Sequence, residues 1–262
     1  MFIRLLSPAL AVLIIACSLY LWRYVYAVSD WAVACLVPLS VLLFLAQMPI
    51  LREDYRARML LTLRPGSRLT RILTGRLSSS AGALVFVAIS IPVLAWQALH
   101  LTPAEAGLVS AACMISGWVF VGIERRLARS FNPPFARAYA LRLSSWLCAA
   151  LACPVIAWVT WSYTGHPPAY LQAGFIDALK LGMSEMPERD GLLETILMPF
   201  YAFQGGKTWL LVQSKNYPWL TLLLSMDAAL FGFLATRASI LMTDLAEHFL
   251  LAQQTTPSED VA

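Results

Sequence analysis

The chain has 262 residues, 59% hydrophobic and 13% charged, with mean hydropathy +0.68 and a net charge of +4. Soluble domains average about 45–50% apolar and about 25% charged residues. The composition therefore excludes a soluble globule, a disordered chain and a collagen-like or disulfide-stapled scaffold, and it points to several membrane spans.

A hydrocarbon core about 30 Å thick takes about 20 residues of helix. Six stretches meet that length: 5–22, 31–51, 77–99, 106–123, 143–163 and 217–236. They lack period-two alternation, and lipid offers the backbone no partner, so they are expected as helices and not barrel strands. The expected fold is all-α: one domain over 1–262, a bundle of six transmembrane helices with amphipathic interfacial helices beside it. The first apolar run continues past Cys17 to Trp22 and so reads as an uncleaved span, not a signal peptide.

After the second span, residues 52–76 are expected to form a helical hairpin on the inner surface. Tyr55, Met59, Leu60 and Leu63 recur at helical spacing, Pro65-Gly66 marks a turn, and Leu69, Ile72 and Leu73 follow. The arginines here are Arg52, Arg56, Arg58, Arg64, Arg68, Arg71 and Arg76, and those after the fourth span are Arg125, Arg126, Arg129, Arg137 and Arg142. Beside apolar segments they are expected to grip anionic lipid or an acidic partner, and not nucleic acid. The fourth span is rich in small residues, and Gly107, Ala111, Ser116 and Gly117 are its candidate helix-packing positions. Pro38, Pro92 and Pro154 lie inside spans two, three and five and are expected to kink them.

The outer loop, 164–216, is the longest connection. Phe175, Ile176, Leu179 and Met183 give an apolar helical face, with Asp177 and Lys180 opposite. Residues 195–206 are apolar but too short to span and contain Pro199, so they are expected to be interfacial or re-entrant. Gly205-Gly206-Lys207-Thr208 ends like a phosphate-binding loop, yet Tyr201 stands where the first glycine belongs. It reads instead as a flexible break, with Lys207 near headgroups.

Asp227 falls near the middle of the sixth stretch. An ionised aspartate at the bilayer centre costs about 2.5–3.5 kcal/mol, so it must face the bundle interior, be protonated or be paired. Ser18, Ser40, Ser90 and Ser116 lie at comparable depth, and no basic residue does. Beyond Arg237 a cytoplasmic helix and tail, 237–262, are expected. Leu241, Leu245, Phe249 and Ala252 form its apolar stripe, with Asp244 and Glu247 on the other side.

The five cysteines sit in apolar stretches without a CxxC pair and read as small hydrophobes. His100, His166 and His248 show no metal-ligand spacing, and no GxSxG occurs. No catalytic, cofactor or metal residue is therefore expected. Placing the arginine clusters inside puts both termini inside, with fourteen basic residues in and five out. That suits a bacterial inner membrane. The leading expectation is a non-enzymatic integral membrane subunit of a larger envelope assembly, of secretion or conjugation type, with other membrane subunits as partners. The alternatives are a small-solute or ion transporter or channel using Asp227, and a membrane-surface enzyme.

Overall fold

A computed structural model describes residues 2–62, 76–131, 133–163, 167–186, 192–214, 217, 219 and 226–255. The fold is 91% helix with no strands among the described residues. Eight α-helices follow in order: α1 (Phe2–Tyr26), α2 (Val37–Thr62), α3 (Arg76–His100), α4 (Pro103–Leu127), α5 (Pro133–Tyr163), α6 (Phe175–Ser184), α7 (Leu192–Gln213) and α8 (Met226–Thr255). Six segments are long and apolar enough to cross a bilayer: Leu6–Tyr26, Asp30–Arg56, Leu77–His100, Pro103–Leu127, Ala136–Val159 and Asp227–Leu251. The protein is an integral membrane protein of six transmembrane helices.

Local chemistry sets the helix ends. Thr102 and Glu105 form a capping box: the Thr102 hydroxyl accepts from Glu105 N at 3.3 Å, and Glu105 Oε2 accepts from Thr102 N at 2.9 Å. With Pro103 in the first turn, α4 starts three residues before the apolar run does. Ser29 caps a 3₁₀ turn, Asp30–Leu36, that leads into α2. Pro38 is consequently the second residue of α2, where a missing N–H costs nothing, and the kink expected there has no basis.

The last span differs most from expectation. Among the described residues it runs Asp227–Leu251, beyond the end expected at 236, and 72% of it is buried against 22–44% of the other five. Hydropathy set its end at Arg237, whereas the span continues to Leu251. In the folded chain α8 is the hub, in contact with α1, α2, α3, α4 and α5, and a hub helix can turn charged side chains toward partners. Its polar face points inward: Asp244 is 2% exposed and Glu247 5%, whereas Phe249 is 59% exposed. The helix expected in the cytoplasm is thus the second half of a span. The fifth span also begins early, because α5 starts at Pro133.

The core fills the space around α8 with Leu39, Leu43, Leu94, Phe120, Ile240 and Leu241. Trp22 Nε1 donates to Ala95 O at 3.0 Å and ties α1 to α3. At Gly117 three helices meet, since a Cβ there would lie 2.7 Å from Pro8 Cβ on α1 and 2.8 Å from Thr243 Oγ1 on α8.

Residues 192–213 form a 22-residue helix, longer than the 12-residue apolar run suggested. It pairs with α6. A Cβ on Gly182 would lie 2.7 Å from Gly205 Cα, and one on Gly205 2.8 Å from Gly182 Cα. Gly205 is thus a helix-crossing point, correcting the flexible break expected there. The buried face of α6 is correspondingly Ala178 and Gly182, while Ile176 is 67% exposed. Trp209 Nε1 seals the pair by donating to Ala173 O at 2.8 Å.

Candidate functional site

Three polar stations lie along α8, and residue spacing gives their depths. At a rise of 1.5 Å per residue, Arg237 is about 15 Å and Asp244 about 25 Å below Asp227.

The first station is at the N-terminal end of α8. Asp227 lies in its first turn, at one end of the span Asp227–Leu251. Lys207 Nζ on α7 donates to Asp227 Oδ2 at 2.5 Å, and Asp227 Oδ1 accepts from Ala228 N at 2.8 Å. A basic partner therefore exists at its depth, contrary to expectation, because α7 folds back onto the bundle. None of the four serines serves it. Ser18 and Ser116 donate to carbonyls of their own helices, Ser40 donates to Leu36 O at the end of the 3₁₀ turn, and Ser90 Oγ has no hydrogen-bond partner among the described residues. A polar cavity of about 100 Å³ opens beside the pair, lined by Gln97, His100, Glu105, Gln204, Lys207 and Asp227 among apolar neighbours. His100 Nδ1 lies 3.1 Å from Trp96 O and donates to it, which leaves Nε2 as an acceptor in the neutral ring. Trp96 and His100 pack on Tyr201 with centroids 4.9 and 5.6 Å away, so α7 is fixed over this cavity. Glu185 acts on His100 electrostatically and stands 3.5 Å from the Tyr170 hydroxyl. Burial first, and then Glu185, pushes the Tyr170 hydroxyl above its usual range.

The second station is toward the C-terminal end of α8. Arg137 Nε donates to Asp244 Oδ1 at 2.6 Å, and its Nη2 donates to Asp244 Oδ2. This is a bidentate pair joining α5 to α8, with the side chains 16% and 3% exposed. Glu53 on α2 lies within electrostatic reach of Arg137, Asp244 and His248. Sequence inspection missed this cluster. Arg137 had been counted with the surface arginines and Asp244 with a solvent face.

The third station is the middle of the span, and its charge is Arg237, which had been assigned to the membrane edge. The guanidinium lies over the Phe86 ring, 5.2 Å from its centroid. Its Nε is buried without a hydrogen-bond partner, and no carboxylate pairs with it among the described residues. An arginine at a span centre costs about 2.5–3.5 kcal/mol on insertion scales and more on an isolated helix. A desolvated cation–π contact returns about 2 kcal/mol, so Phe86 offsets the cost only in part.

The remaining candidates disperse. Arg56, Arg125, Arg126 and Arg129 are exposed, and Arg52 is half-buried. The side chains of Arg58, Arg64, Arg68, Arg71 and Arg76 lie outside the described residues, as does most of the expected inner hairpin. Ser116 and Gly117 are buried at helix contacts. Gly107 and Ala111 are exposed, and a Cβ on Gly107 would meet nothing within 4 Å among the described residues. Cys17 is exposed as well, and all five cysteines are free. No group of three or more His, Cys, Asp or Glu that could hold a metal occurs among the described residues. No protein-family model matches the chain, and neither curated proteins nor solved structures give a match.

Proposed function

We propose that the protein is a non-enzymatic subunit of a larger membrane assembly, seated in a bacterial inner membrane with its arginine-rich end in the cytoplasm. The observation that carries this reading is Arg237: a guanidinium at mid-span, on the hub helix, without a paired carboxylate among the described residues. A charge so placed is retained where another molecule completes it. The orientation rests on the positive-inside bias. With Arg237 moved into the span, thirteen basic residues stand on the inner side against five on the outer. Purification from native membranes in mild detergent, followed by mass determination, tests the reading. A stoichiometric partner is expected, and a stable, monodisperse monomer would overturn it.

A second reading has its own observation. The outer cavity gathers His100, Glu105, Lys207 and Asp227, which suits the handling of protons or of a small polar solute. A transporter of that kind should lose pH-dependent flux in reconstituted vesicles on Asp227→Asn. Unchanged flux removes Asp227 from any transport mechanism.

A further inference from the structure

We infer that a transmembrane helix of a partner protein docks in the lateral groove between α3, α7 and α8, and that it presents a carboxylate to Arg237. This rests on the subunit reading above and names the partner's chemistry.

The groove has two tiers. The outer tier is an apolar space of about 320 Å³ whose walls include Val93, Pro199, Phe200, Phe203 and Leu230. Leu230 is 50% exposed and Phe203 64%. The inner tier follows from helix geometry. Positions seven apart share a face, so Arg237 lies about 10 Å below Leu230, and Phe86 about 10 Å below Val93. The two helices run in opposite directions, and the tiers therefore match. Phe86 and Arg237 do meet, with the guanidinium over the ring. Helix geometry thus places Arg237 below the mainly apolar space, on the face of α8 that carries Leu230, while Gln97 and Asp227 also line that space.

Three occupants compete for that charge. A lipid phosphate sits at the interface, about half of a 30 Å core away from mid-span, beyond the reach of an arginine side chain. A second copy of this chain offers no free acid at the required depth. Spans 6–26, 77–100 and 136–159 contain none, and Asp30, Glu53, Asp54, Glu105, Glu124, Asp227 and Glu247 stand nearer span ends. The deepest, Asp244, is already held by Arg137. A partner helix with one Asp or Glu at mid-span fits both tiers. Its apolar side chains fill the outer space, and its carboxylate matches the guanidinium in the bidentate geometry that arginine favours.

A photoreactive residue in place of Leu230, and separately of Phe203, tests this in the full chain in native membranes. Mass spectrometry identifies the cross-linked segment. The expected product is a transmembrane segment of another protein bearing a mid-span acid. Arg237→Leu should cut its yield about tenfold, the size of one interhelical polar contact, while Arg237→Lys should retain most of it. An unchanged melting profile of Arg237→Leu in detergent shows that the loss is not unfolding. Cross-links to lipid alone, to a second copy, or to a helix without an acid overturn the inference. So does a partner that stays on Arg237→Leu, although that result leaves the subunit reading standing. Absence of any partner on the unmodified chain overturns both.

Discussion

Arg137 and Arg237 are both guanidiniums inside the bundle, and the fold treats them differently. Arg137 is met by Asp244 through two hydrogen bonds, although the residues are 107 positions apart. Arg237 is met by a ring and by no acid among the described residues. One charge is completed within the chain and belongs to folding. The other, on the proposed subunit reading, is left for something outside and belongs to assembly. The contrast can be broken by deletion. Asp244→Ala leaves Arg137 buried and unpaired and should cost about 3–5 kcal/mol, read as a lower unfolding midpoint in detergent micelles. Replacing both partners by Leu should recover most of that loss; a double variant as weak as the single one would detach the effect from the pair. Arg237→Leu in the same assay should leave the isolated chain no weaker. A marked loss of midpoint there would make Arg237 a folding residue and erase the contrast.

The next test concerns helix contacts built on missing side chains. Gly117 lets α4 reach Pro8 and Thr243, and Gly182 lets α6 lie on Gly205. Gly117→Val and Gly182→Val each force packed helices apart and should cost about 1–3 kcal/mol, the usual price of overpacking. Hydrogen exchange separates the two: the first should loosen α1 and α8, the second only α6 and α7. Uniform loosening by both would mean that hairpin and bundle do not open independently.

How much of this was legible in the sequence depends on dimension. Spans one to four are charge-free runs, a one-dimensional signal, and apart from end effects such as the Thr102–Glu105 cap they appear where hydropathy puts them. The sixth was ended too early because a linear rule treats Arg237 as a boundary, whereas a hub helix can keep charges if its neighbours answer them. One signal was available: Arg237 and Asp244 are seven apart and so share a face, with Glu247 close to it. A helix whose acids and arginine recur on one stripe is more easily read as inward-facing than as a cytoplasmic extension. The partners themselves were not legible. Nothing local connects Arg137 to Asp244 or Lys207 to Asp227, since those distances are set by how α5 and α7 pack against α8. The close pairing of Gly182 with Gly205 was likewise hidden, because glycine reads as a breaker until the opposing backbone is seen.

Lys207 and Asp227 sharpen the comparison between the ends of α8. Their side chains are 9% and 28% exposed, so this pair is wetter on its acidic side than Arg137–Asp244. Lys207→Met should therefore cost only about 1 kcal/mol, near the upper end for exposed pairs, and exchange should rise in α7 before the rest of the bundle. A loss as large as that of Asp244→Ala would show that this pair is as desolvated as Arg137–Asp244.

Gly107 supplies the smallest effect and a check on the argument from glycines. It sits on α4 ten residues before Gly117, on an exposed face, and a Cβ there would meet nothing within 4 Å among the described residues. Without a close contact to protect, its only consequence is the backbone freedom that glycine brings to a helix. Gly107→Ala should then stabilise the isolated chain by about 0.5 kcal/mol, opposite in sign to Gly117→Val. If it weakens the purified chain, α4 has a neighbour at that face within this fold. If it is neutral or stabilising in the purified chain but disrupts the assembly isolated from membranes, the small-residue face around Gly107 and Ala111 is packed by another subunit, and the bundle has a second contact besides the Arg237 groove.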